Sequence, residues 1–322
     1  MNNYPLLSRK TLSSYLSNYM IFIILVFIIL LMSIAQPGTF LTVNNLVNIV
    51  RQMVPIGLIA LGVSFTITSG GIDLSSSALV AVAACISGLM MQKGSAIPLF
   101  AAILAVLLVG IVVGWINGFI ITNGHVTPFI ATLGMALVCK GMALVITGGM
   151  PLSGFSPGFR FIGSGNFILP IPIIIFIIMI AISYLMLHKS KFGSYIFAVG
   201  GNENAAKVSG VDINKTRIWI YVFAGFMSAL AGLILSARTA AALSSYGEGF
   251  DLDAISAAVI GGTSFAGGQS RVLGTIAGVL IIGLISNCMT VLHIDVNWQQ
   301  VFKGLIILIA VLIDERKGRI RL

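Results

Sequence analysis

Ionisable and amide side chains are scarce enough in this chain that each can be weighed singly. Asp73, in the run SGGIDLS at 69–75, is the most conspicuous acid outside the polar loops. A carboxylate at membrane depth costs about 2.5–3.5 kcal/mol on insertion scales, so it must face water, a partner or backbone donors. With Ser75, Ser76 and Ser77 beside it, capping is the first expectation: the acid accepts from the free N–H groups that open the next helix. A place on a solute pathway is the second. Lys140, inside GMALVCKGMAL, can snorkel to an interface or meet a polar partner within a bundle. Asn287 can hydrogen-bond between helices or line a pathway, while Asn117, near the end of one span, is a pathway candidate only. A different chemistry sits at 200–210, GGNENAAKVSG. Asn202 can cap a short helix, Glu203 and Lys207 stand four apart with the acid first, and Gly210 can end it. So short a helix is marginal alone and calls for a partner surface.

Covalent chemistry has no such foothold. The chain holds no GxxxxGK[ST] phosphate loop, no HExxH and no GxSxG elbow. Cys85, Cys139 and Cys288 lie far apart in apolar runs and read as packing residues. His125, His188 and His293 lack metal-ligand spacing. The chain is expected to carry no cofactor and no metal.

The elements that must position these residues are membrane spans. Of 322 residues, 58% are hydrophobic and 8% charged, where soluble chains run near a quarter charged. The net charge of +9 fits Lys and Arg gathered on the cytoplasmic side better than nucleic-acid binding. Apolar runs predict spans near 19–35, 54–69, 75–91, 98–121, 128–147, 171–187, 218–237, 254–265 (short), 272–292 and 299–313, the first one uncleaved. The run 38–55 is apolar on one face and is expected to lie along the outer surface. Lys189, Lys191, Lys207, Lys215 and Arg217 then put the 188–217 loop inside, together with the basic tail 314–322. The loop 238–253, with Glu248, Asp251 and Asp253, falls outside. The expected fold is an all-α polytopic membrane protein: one transmembrane domain over 1–322, about ten helices, both termini cytoplasmic. Glycine pairs in SGGIDLS and IGGTSFAGGQS mark broken or short segments, which survive in a bilayer only against protein or a watery cavity.

Glu203-x-Ala205-Ala206, then Gly210 and Ile213, resembles the coupling loop of permease subunits in ABC importers. The fuller run AVGGNENAAKVSGV, with SGGIDLS and DLDAISAAVIGGTSFAGG at 251–268, is similar to the ribose-type sugar permease family. The resemblance covers most of the chain. It departs at Ser76-Ser77-Ala78, where the family has Val-Gly-Ser, and at Ser194, commonly basic in the family.

The resemblance implies a bacterial inner-membrane permease that moves a monosaccharide or small polyol by alternating access and is not itself an enzyme. Implied partners are a second permease copy or close paralogue, cytoplasmic ATP-binding subunits, a periplasmic sugar-binding protein and the lipid bilayer, with no nucleic acid. Gly200, Gly201, Asn202, Glu203, Ala205, Ala206, Lys207, Ser209 and Gly210 would engage the ATPase. Asp73, Ser75, Asn117 and Asn287 are the pathway candidates, and Glu248, Asp251 and Asp253 the candidates for docking the binding protein. The alternative is an ion-coupled secondary transporter of a small polar solute, for which Asp73 and Lys140 would be the relay residues.

Overall fold

A computed structural model describes residues 23, 25–34, 36–295, 297–305 and 308. The N-terminal basic residues, parts of the first and last expected spans and the tail 314–322 lie outside the described residues. The helices are α1 (Leu25–Ile34), α2 (Val43–Thr68), α3 (Ser75–Met90), α4 (Leu99–Asn123), α5 (Pro128–Thr147), α6 (Pro157–Ser164), α7 (Ile171–His188), α8 (Lys191–Gly201), α9 (Glu203–Val208), α10 (Ile213–Thr239), α11 (Phe250–Ile260) and α12 (Val272–Val291). Residues 297–305 are again helical. Among the described residues, α2, α4, α5, α7, α10 and α12 are the six helices long and apolar enough to cross a membrane, while α1 and α3 are shorter apolar helices.

The bundle is built around α10, which packs on α2, α3 and α4. Small residues set the spacing, since lipid supplies no hydrophobic drive between helices. Gly110, Gly114 and Gly118 recur every fourth residue along α4. A methyl at Gly114 would come within 2.2 Å of the Tyr221 carbonyl of α10.

Three expectations are corrected. The surface helix at 38–55 and the span at 54–69 are one helix, α2, capped by the Thr42 side chain and continuous through Pro55. The apolar face of its first half continues into the second, and Ile49 and Met53 are buried with it. The short span at 254–265 is only α11, 11 residues long, or about 16 Å, which is half a crossing. Gly261 stops it against the Gly274 backbone of α12.

The third correction concerns 238–253, expected outside. At the end of the bundle away from α9, β1 (Leu152–Ser153) pairs antiparallel with β2 (Ala241–Ala242), just past the end of α10. From there the chain turns back inward. Gly247, at φ +84°, lies so close to the Ser77 carbonyl that a Cβ would come within 2.2 Å of it. Ser77 stands 13 residues before the far end of α3, about 20 Å along the axis. The segment 243–249 therefore re-enters the bundle, and α11 starts inside it. Hydropathy alone reads such a polar, glycine-rich run as an outside loop.

Candidate functional site

Asp73 stands at the centre of a buried polar network in the break between α2 and α3, in which Asn117 Oδ1 is left without a partner. Gly70, at φ +81°, turns the chain, and the Gly71 N–H returns to the Thr66 carbonyl at 2.9 Å. One Asp73 oxygen accepts from the Ser75 N–H at 2.9 Å and from the Ser75 hydroxyl at 2.6 Å; the other accepts from the Ser76 hydroxyl at 2.8 Å. This is helix-start capping from one residue upstream of the N-cap, Leu74. Asn117 of α4 donates its amide to the Ser75 hydroxyl at 2.8 Å, and the Thr132 hydroxyl of α5 accepts from the Leu74 N–H at 3.2 Å. The start of α3 is thus tied to α4 through Ser75 and to α5 through the Leu74 N–H. Asp73, Ser75, Asn117 and Thr132 are all buried.

Of the four pathway candidates, Asp73, Ser75 and Asn117 are brought together and Asn287 is not. Asn287, on α12, exchanges amide hydrogen bonds with Asn45 of α2 at 3.1 and 3.3 Å, at the other end of α2. That reciprocal pair locks two helices and leaves little for a solute.

The 188–217 interruption is mostly helix. The Ser190 hydroxyl caps α8, and the Asn202 side chain caps α9 through the Ala205 N–H at 3.0 Å. Gly210, at φ +82°, ends α9, with its N–H on the Lys207 carbonyl and the Val211 N–H on the Ala206 carbonyl. Only glycine takes that left-handed turn without strain. Glu203 does not pair with Lys207: the fold returns Arg217 of α10 to it, 3.1 Å away on one side of a two-toothed contact. Ala206 is the one buried side chain of α9, and Val208 is fully presented. Gly201, Lys207 and Ser209 lie along this exposed stretch.

Gly200 is different. A methyl there would come within 1.8 Å of the Thr68 carbonyl, the last residue of α2. The same carbonyl accepts from the Gly268 N–H at 2.8 Å. The end of α8, the end of α2 and the turn between α11 and α12 therefore meet backbone to backbone. Sequence reasoning missed Thr68, Gly267 and Gly268 in this role; the paired glycines at 200–201 and 267–268 were the available signal.

The three acids of the re-entrant segment part company. Asp251 and Asp253 lie in the first turn of α11, where the helix dipole favours them. Asp253 is buried and bridged to Lys303 at 2.7 Å, whereas Glu248 pairs with Lys140 of α5 at 3.0 Å. A polar partner was one of the two alternatives expected for Lys140, without naming Glu248; the Lys303 partnership of Asp253 was not expected. Cys85, Cys139 and Cys288 are free and buried, and the described residues include no cluster of three potential metal ligands.

The family model described as "Branched-chain amino acid transport system / permease component" matches residues 45–311. The chain is 43% identical over 300 residues to the ribose import permease protein RbsC of Bacillus subtilis (strain 168), covering 92% of each. It is 40% identical to the RbsC protein of Haemophilus influenzae over 302 residues, 92% of this chain and 93% of that one. With the galactose/methyl galactoside import permease protein MglC of Escherichia coli (strain K12) it shares 36% over 329 residues, 97% and 98% of the two chains. No solved structure matches the chain.

Proposed function

This chain belongs to the branched-chain amino acid transport system permease family, and from that premise we propose that it is the membrane subunit of an ATP-driven importer of a monosaccharide. The observation that carries the substrate class is the 43% identity to a ribose import permease over 92% of both chains. The matched relatives are permease proteins, translocation components rather than enzymes, so ATP hydrolysis belongs to a separate chain.

In this reading, α9 enters a groove on a cytoplasmic ATPase. Its exposed small residues give a thin surface, and Asn202 and Gly210 hold its two ends. ATP-driven closure of two ATPases pulls α9 and α8. Gly200 passes the displacement to the end of α2 and to the α11–α12 turn, because the three backbones are in contact there. The helices around the break at 69–74 and the re-entrant segment then rearrange, and the pathway opens to the other side. A ligand biases such a two-state change only by its differential affinity for the states. The α9 end is then cytoplasmic and the β1–β2 end outside. Both termini are cytoplasmic, ten segments count as crossings when α11 is included, and a second permease copy faces the first. A binding protein delivers the sugar at the β1–β2 end.

The test is a tagged pull-down from detergent-solubilised membranes, comparing wild type with a variant lacking residues 200–210. Recovery of an ATPase with wild type and its loss with the deletion supports the reading. A well-folded wild type that brings down no ATPase overturns it.

A further inference from the structure

The Lys140–Glu248 pair stands where an ion pair is costly. Lys140 lies 12 residues into the 20-residue α5, about 18 Å from one end and 10 Å from the other. Glu248 reaches it because the re-entrant segment descends to Ser77. Yet the two side chains are 56% and 61% exposed. Charges at that depth do not stay open to hydrocarbon; they face a bundle interior or a water-filled space. They also line a cavity of about 260 Å³, walled by α3, α5 and residues 244–251. Its polar wall is Ser77, Lys140, Ser244, Tyr246, Glu248 and Asp251, and Leu74, Ala78 and Ala81 form an apolar side. Leu74 adjoins Asp73, so the cavity abuts the pinned start of α3.

We infer that this cavity is the sugar-contacting subsite of the translocation pathway, with the Lys140–Glu248 pair as the group that a passing monosaccharide must engage. The inference rests on the importer reading above. Its volume lies below the ~300–1,000 Å³ of drug-sized pockets, which suits one sugar ring. The chemistry suits hydroxyls: Lys140 donates, Glu248 and Asp251 accept, Ser77 and Ser244 do both, and the Tyr246 ring offers a flat apolar face. An exposed ion pair is worth only ~0.2–1 kcal/mol, so sugar hydroxyls can replace each partner with little loss. A second permease copy set against α5 would close the open side and keep the space wet.

Two experiments use the whole importer, permease with ATPase and binding protein, in proteoliposomes. Ser244→Cys is treated with a charged, membrane-impermeant thiol reagent, with wild type as background because its cysteines are buried. The thiol is expected to react from an aqueous face and to react at least fivefold more slowly during turnover with sugar-loaded binding protein than with unloaded. In the second, Lys140→Glu combined with Glu248→Lys keeps an ion pair but exchanges its ends. The ratio of radiolabelled ribose to galactose uptake is expected to change at least threefold, with ATPase recovery unchanged. A thiol silent from both faces, labelling indifferent to loaded sugar, or a swapped pair with the wild-type ratio overturns the subsite while wild-type uptake continues. If wild type with its ATPase and binding protein carries no sugar of a panel of pentoses and hexoses, the importer reading falls and the subsite with it.

Discussion

Two of the breaks in the helical pattern, at 69–74 and 243–251, are built oppositely. At 69–74 the carboxylate is satisfied by the chain itself: Asp73 takes three donors and is buried, and Thr132 takes the Leu74 N–H. At 243–251 the backbone is held tightly at Gly247, but the side chains point into an open cavity, and their ion pair is exposed. The lesson is that a charge at membrane depth is not by itself a sign of a pathway. What separates the two is whether the chain satisfies the charge itself. Asp73 is consumed by structure, whereas Lys140 and Glu248 remain available to something that comes and goes.

The largest effect should come from breaking the closed site. Asp73→Ala leaves the Ser75 N–H and two serine hydroxyls without their acceptor, at about 1–3 kcal/mol for each buried group left unmade. We expect little folded protein, read as yield and melting in detergent. Asp73→Asn retains one acceptor; its yield should fall, and its ribose-to-galactose uptake ratio should match wild type. A stable Asp73→Asn protein with a changed ratio would erase the contrast between the two breaks.

The junction between them comes next. Gly200→Ala drives a methyl to 1.8 Å from the Thr68 carbonyl, so either α8 or α2 must move. The expected outcome is a protein that still recovers its ATPase but takes up sugar at least tenfold more slowly. Gly210→Arg and Ala206→Trp act at the other face of the same segment. They should abolish uptake with the spans still folded, because the turn at φ +82° and the buried methyl are what shape α9. Normal transport by both would remove α9 from the coupling role.

These regions differed in how far the sequence disclosed them. The α9 helix was readable because its signals are local: Asn202 before it, Gly210 after it, and small residues between. Six long apolar helices were readable for the same reason, and so was the capping role of Asp73 with its adjacent serines. What escaped is decided by distant residues. Glu203 was expected on Lys207, four residues away, but the fold offers Arg217, fourteen away, on the returning α10. Residues 238–253 were placed outside by the span count and by their three acids, and only Ser77, far back in the chain, reveals the depth of 243–249. The runs 38–55 and 54–69 were read as two elements, whereas burial of Ile49 and Met53 with the second half of α2 in one core makes them one helix.

The smallest expected change in stability belongs to the open site, and its smallness is the point. Glu248→Gln removes one charge of an exposed pair whose worth is ~0.2–1 kcal/mol, and the amide keeps a hydrogen-bond acceptor toward Lys140. Melting in detergent should therefore move by about 2–4 °C at most. Lys303→Met provides the contrast from the same segment: it strands the buried Asp253, and removing one partner of a buried pair costs about 3–5 kcal/mol, so its melting should drop well beyond that. If Glu248→Gln melts as low as Lys303→Met, the Lys140–Glu248 pair is a structural brace like its neighbour. If it melts as wild type does and uptake alone declines, the re-entrant segment and the start of α11 contain a contact and a brace five residues apart. The open break then owes its exposed charges to the solute rather than to the fold.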